Sequence, residues 1–279
     1  MKITAQRIDR ANARATVIVS NDFLKKQEKK IVAAIAKDLK MAGFRKGKVP
    51  AQIIKTKYGH KITQDTRNDA LRAAYQGALK ELGVKAADVI GDPGVSKFET
   101  SAKGLEIELA LDIQPEFSIA GYKELIPDFS EQETSTGENR QRFADRLLDR
   151  IRFDVPQGIV NNELDISLRT EIAKLSPEES KAFQRRDAVD KKKAELREDA
   201  LKRVRLTFIV HEMAKKENVT ASQKEVEEAI TQEARQAGQD PAAYLKEYTS
   251  QGLLPAAKMA LIEKKLFKKL LDQKAAVDR

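Results

Sequence analysis

Between residues 43 and 50 the chain reads GFRKGKVP, with Arg45, Lys46 and Lys48 beside the ring of Phe44. Three cations displayed on a loop can neutralise phosphates, and an adjacent aromatic ring can stack on a base or enter an apolar crevice. The residue types allow a second arrangement, with Phe44 folded back into its domain and the cations forming a solvated turn. A nucleotide-phosphate loop does not fit. Gly43 and Gly47 stand four apart, but Lys48 is followed by Val49 where a hydroxyl residue is needed, and a helix rather than a strand leads in.

Other chemistry is sparse. The two histidines, His60 and His211, have no cysteine and no carboxylate cluster at metal-ligand spacing, and His211-Glu212 is not followed by the second histidine of a zinc-protease helix. They read as a turn histidine and a helix-face histidine. No nucleophile elbow and no dinucleotide fingerprint occurs, and carboxylate pairs in so charged a chain are explained by helix-surface pairing. The expectation is no catalytic residue, no metal and no cofactor.

At 279 residues with 41% apolar content, the chain can bury the core of one large or two ordinary domains. Lys and Arg number 52 against 43 Asp and Glu, and the resulting +9 favours polyanionic partners, nucleic acid or an anionic membrane. Without cysteine there is no disulfide framework. The opening MKITAQRIDR lacks the apolar region of a secretory signal, and no run reaches membrane-span length, which suggests a cytoplasmic protein.

The elements that must position the loop come from residues 1–113. Residues 2–9 and 13–19 read as a hairpin. Ser20, Asn21 and Asp22 offer caps for a helix carrying Leu24, Ile31, Ile35 and Leu39, which is expected to end at Gly43. Pro50 suits the first turn of a short helix ending at Gly59, and a longer one follows from about Ile62 to Leu82, stopped by Gly83. Two strands close the domain. In the second, Leu105, Ile107, Leu109, Leu111 and Ile113 alternate with Glu106, Glu108, Ala110 and Asp112, the signature of a sheet with one wet face. The fold class expected is α+β, an antiparallel sheet packed with helices, with GFRKGKVP at a helical hairpin tip.

Residues 114–138 break the pattern with Pro115, Gly121 and Pro127 and read as a linker. Residues 139–279 look all-α. Their longest helix spans about Asp187 to Glu217, with i,i+4 pairs Asp187–Lys191, Glu198–Lys202 and Asp199–Arg203, and a second half, VRLTFIVHEMA, apolar enough to be buried nearly all round. Ser222 and Glu225 have capping-box spacing, Asp240-Pro241 starts another helix, and Pro255 opens the last.

GFRKGKVP resembles the G-F-R-x-G-K-x-P signature of the trigger factor family of ribosome-associated bacterial chaperones, with Gly43, Phe44, Arg45, Gly47, Lys48 and Pro50 at every fixed position. The flanking elements, DIQPEF at 112–117, FDVPQGIV at 153–160, HEMAKKENV and ASQKEVEEAI are also similar to that family. The resemblance implies ribosome contacts at Phe44, Arg45 and Lys46, a loop shaped by Gly43, Gly47 and Pro50, and docking on an exit-tunnel ribosomal protein and neighbouring RNA. It further implies an ATP-independent chaperone whose helical arms hold unfolded or nascent polypeptides. Candidate client contacts are Phe183, Leu253, Leu254, Met259 and Phe267, although a core position is the more ordinary reading of each. Family members usually carry an FKBP-type peptidyl-prolyl isomerase domain where only the polar stretch stands here, so isomerase activity is expected to be absent. Thr134, Ser135, Thr136 and Gly137 read as a join, natural or engineered.

Two rivals remain open on the sequence. One is a basic RNA-binding module that uses the same loop. The other is a membrane-surface protein using Lys264, Lys265, Lys268 and Lys269 beside Ile262, Leu266 and Leu270, although those lysines fit an ordinary solvated helix face. No membrane partner is expected, and monomer and homodimer are both compatible with the sequence.

Overall fold

The computed structural model describes residues 1–128 and 137–277. It divides into two compact units, Met1–Glu116 with Asp154–Asn161, and Phe117–Phe153 with Asn162–Arg279.

The first unit is built on a four-stranded antiparallel sheet in the order β1-β2-β4-β3, comprising β1 (Lys2–Arg7), β2 (Asn12–Val19), β3 (Gly94–Ser101) and β4 (Gly104–Asp112). The alternation in β4 works as expected: Leu105, Ile107, Leu109 and Leu111 are buried while the intervening acids stay partly wet. Two helices, α1 (Asn21–Asp38) and α2 (Ala51–Leu82), complete it. Ala70, Ala74 and Ala78 of α2 share one core with Ala13, Ala15 and Val17 of β2, the small side chains keeping the packed layers close. Ser20 caps α1 through the Phe23 N–H, and Gly83 ends α2 in the left-handed region. As expected, a short and a long helix meet near Gly59, joined within α2 by a kink at Tyr58 (φ −118°, ψ 18°), whose half-buried side chain packs in the hairpin cluster.

The segment Asp154–Asn161 is fastened to this unit by buried polar groups. The Asn12 side chain donates to the Val155 carbonyl (3.0 Å) and accepts from the Gln157 N–H (2.7 Å), and Asp112 accepts from the Gly158 N–H (3.0 Å). Burial raises the Asp112 carboxyl above its ordinary range, and the N–H groups of Gly158 and Ile159 partly offset this.

The second unit is helical. Its elements are α3 (Gly137–Arg150), α4 (Gln157–Ala173, whose first residues count with the first unit), α5 (Pro177–Ser180), α6 (Arg186–Lys216), α7 (Gln223–Gln236), α8 (Pro241–Ser250) and α9 (Leu254–Val277). The Ser222–Glu225 capping box forms, and the Asp240 carboxylate accepts from the Ala243 N–H at 2.8 Å. Phe143, Leu147, Ile209, Met213, Ile230, Leu266 and Phe267 form the core.

Three expectations change here. The stretch read as a linker contributes Tyr122 and Ile126 to the helical core, because an aromatic with a partnered hydroxyl buries well even without a periodic neighbourhood. In α6 the second half is buried on one side only: Val204, Ile209, Val210 and Met213 are inside, while Thr207 and His211 are exposed. Of the charged pairs, Glu198–Lys202 forms at 3.2 Å, but Asp187 takes Arg185 instead, and Arg203 reaches Glu163 of α4 at 2.6 Å. Thr134, Ser135 and Thr136 lie outside the described residues, and Gly137 is the first residue of α3.

Candidate functional site

The GFRKGKVP loop joins α1 to α2 through two consecutive β-turns. α1 stops at Asp38, five residues before Gly43, because Leu39 swings to extended backbone (ψ 124°) and packs its side chain into the hairpin cluster. The chain then turns at Met41–Phe44, closed by the Phe44 N–H on the Met41 carbonyl (3.1 Å), and again at Arg45–Lys48, closed by the Lys48 N–H on the Arg45 carbonyl (2.9 Å). Each turn has a glycine at its third position, Gly43 at φ +84° and Gly47 at φ +79°, where a type II turn demands positive φ. Gly43 therefore serves a turn, not the end of a helix.

Val49 holds the loop down. Only 6% exposed, it packs with Val32, Ile54 and Ile62, so the residues on either side of it are forced outward. Phe44 is 38% exposed, which excludes the folded-back alternative, and Arg45, Lys46 and Lys48 are all exposed. Lys46 makes a solvent-screened pair with Asp38 at 3.3 Å. Pro50 sits at the N-cap of α2 and its carbonyl accepts from Ile53 and Ile54.

No atom lies within 4 Å of where a Gly47 side chain would begin, so the requirement there is conformational. Gly47→Val is expected to strain the second turn by ~1–2 kcal/mol. The hydrogen bond from Lys48 should be lost, read as faster exchange of the Lys48 amide, and the melting transition of this unit should fall by several °C.

The candidate client residues separate. Leu253 lines a groove of about 530 Å³ between α7, α8 and α9, floored by Ile230, Ala256, Ala257, Ala260 and Leu261. Leu254 and Met259 are half-buried against the helical core, and Phe183 is half-buried in a 3₁₀ turn (Lys181–Gln184). Phe267 is core, 2% exposed and packed on Phe143. Glu233 and Tyr248 also line the groove, and the hydroxyls of Tyr248 and of neighbouring Tyr244 both donate to Glu233 (3.3 and 3.0 Å); the Tyr248 hydroxyl, then Glu233, raise the Tyr244 hydroxyl above its ordinary range. His60 and His211 are exposed, and no metal-binding cluster occurs among the described residues.

Comparison with known proteins decides the family. Residues 1–144 match the family model of the bacterial trigger factor protein, and residues 130–272 match that of the bacterial trigger factor C-terminus. The chain belongs to the trigger factor family. Trigger factors of a Nitratiruptor species and of Campylobacter lari are 24% and 26% identical to it, over alignments covering 98% and 96% of this chain and the same shares of theirs. Those alignments run to 429 and 421 positions, longer than the chain itself, so these trigger factors carry internal residues that it lacks. A solved structure of the trigger factor chaperone, described for promiscuous substrate recognition in folding and assembly, has the same fold, with a TM-score of 0.52 at 13% identity over 98% of this chain and 99% of that one. Membership of the trigger factor family supports a chaperone role, and no described helix is long and apolar enough to cross a membrane.

Two features of this trigger factor chain escape sequence reasoning. Val49 anchors the loop, and its signal was one apolar residue between Lys48 and Pro50. The groove depends on Ala256, Ala257 and Ala260, whose importance lies in the space they leave, which no residue type announces.

Proposed function

We propose that this chain is an ATP-independent chaperone that docks beside the ribosomal exit tunnel through Phe44, Arg45 and Lys46. In this reading the helical unit holds unfolded or nascent polypeptides, and the setting is cytoplasmic. The observation that carries it is the loop itself: tandem glycine turns and the buried Val49 present an exposed ring and three exposed cations at the tip of a helical hairpin. Such a tip suits a protein crevice flanked by RNA, the ring entering the crevice and the cations meeting phosphates. The α7–α8–α9 groove supports the client half, since a lining that mixes small apolar side chains such as Ala256, Ala257 and Ala260 with polar ones such as Gln232, Gln236 and Lys264 accepts segments of many kinds without a sequence code. Release then relies on weak binding and on the client burying its own apolar surface.

The reading includes loss of the isomerase domain. The two family models overlap at 130–144 with no residue between them, and the relatives' alignments exceed this chain's length.

Co-sedimentation tests it. The chain is expected to pellet with ribosomes, and the variant with Phe44, Arg45 and Lys46 all replaced by alanine should stay in the supernatant, with both suppressing aggregation of an unfolded protein equally. Equal pelleting of the two, stripped alike by salt, would remove the loop from the docking site.

A further inference from the structure

The chain's whole charge excess resides in residues 21–61. This segment holds twelve Lys and Arg against Asp22, Glu28 and Asp38, which is +9, and the remaining residues carry forty of each sign. All twelve cations are exposed. Among the described residues only Lys46 and Lys55 have an acid in ion-pair range, Asp38 and Glu28. Three of the twelve belong to the docking loop, and the rest lie on the two helices that carry it or, in the case of Lys40, between α1 and the loop.

On α1 they are ordered. Lys25, Lys29, Ala33 and Lys37 fall at intervals of four, one row along the solvent face, and Lys40 continues past the helix end. At 1.5 Å per residue Lys25 and Lys29 stand about 6 Å apart and Lys37 about 12 Å beyond Lys29, so the row spans about 18 Å. The apolar side of the same helix, Ile31, Val32 and Ile35, is occupied by packing against Ile54 and Ile62 of α2.

We propose that this lysine row is a second docking element, one that takes the phosphates of a double-helical RNA segment alongside whatever the loop tip grips. The inference rests on the ribosome-docking reading and names the partner of the helix beside the loop. Phosphates along a duplex require only exposed cations within reach of them. A protein partner would call for a buried apolar anchor within the patch, and a membrane surface for bulky apolar residues on the exposed side; the row has only Ala33 there, with exposed Ala34 beside it. The loop thus supplies specificity of place, and the row supplies sequence-independent, salt-sensitive affinity.

The test uses the full chain and an RNA duplex of about 20 base pairs, titrated between 50 and 200 mM salt. Changing Lys25, Lys29, Lys37 and Lys40 to glutamine should make the plot of log affinity against log salt shallower by about 3–4, so that the parent loses roughly 100-fold more affinity over this range than the variant. The four corresponding arginine substitutions should restore the parental slope, and circular dichroism should show unchanged helix content in both. Equal slopes for parent and glutamine variant overturn the proposal, as does a parent that binds anionic phosphatidylserine vesicles but not the duplex. The alanine variant of Phe44, Arg45 and Lys46 separates the two readings. If it pellets with ribosomes as fully as the parent, the loop assignment fails; if it pellets less than the parent, and the glutamine variant binds the duplex like the parent, the lysine row alone fails.

Discussion

Replacing Phe267 by alanine is expected to destabilise the helical unit by about 3–5 kcal/mol, the cost of emptying an aromatic-sized site that its surroundings cannot refill. Phe267 lies with its ring centroid 5.1 Å from that of Phe143, tilted by 55°, among Leu266, Leu270 and Leu271. Tilted aromatic pairs add to the burial term, which places this position at the upper end of core truncations. Urea unfolding should show the loss as a lower midpoint, and thermal unfolding as a drop on the order of 10 °C for a unit of this size. Aggregation suppression per folded molecule should not change. The reverse pattern, intact stability with lost client holding, would return Phe267 to the surface.

The second large effect is a pH dependence centred on Glu217. Its side chain is 9% exposed, accepts from the Tyr122 hydroxyl at 2.5 Å, and pairs with Lys123 at 2.7 Å and Lys269 at 3.0 Å. The hydrogen bond from Lys123, then those from Tyr122 and Lys269, depress its carboxyl from 4.5 to about 2 against the opposing cost of burial. A carboxyl depressed by folding stabilises the folded state fully above its unfolded value near 4.5, and that contribution fades as pH falls toward 2. It amounts to something on the order of 3 kcal/mol. Glu217→Gln should therefore lower stability at pH 7 by about that amount and flatten the acid limb of the stability profile between pH 4.5 and 2. Burial and Glu217 raise the Tyr122 hydroxyl, so stability should also decline as pH climbs past 10, the ordinary phenol value. The sign follows from the proton count: a phenol held protonated by folding but free to ionise in the unfolded chain favours unfolding once the pH exceeds its unfolded value. An acid limb identical in parent and Glu217→Gln would place the titrating group elsewhere.

Legibility in the sequence follows the range of the forces. The β4 alternation, the Ser222–Glu225 box, the Asp240 cap and the Gly83 stop were all readable, because each depends on residues within a few positions of one another. The end of α1 was misplaced for a comparable reason. Gly43 is a strong helix-stop signal, but Leu39 is drawn out of the helix by the cluster formed with Ile54 and Ile62, residues far outside its local window. The pair expected between Asp199 and Arg203 failed because Glu163, from a different helix, offers Arg203 a more sheltered partner.

By itself the sequence determined that this chain has an α+β unit and a helical unit, a basic aromatic loop between two helices, and no cysteine for thiol chemistry. These are consequences of residue type and short spacing. Tertiary structure alone decided that Phe44 faces solvent while Val49 is buried, that Phe267 is core while Leu253 lines a groove, and that Tyr122 closes onto Glu217 across 95 residues. Exposure is a property of what the rest of the chain packs against a side chain, and periodicity can name the apolar face of a helix without saying whether another helix will cover it.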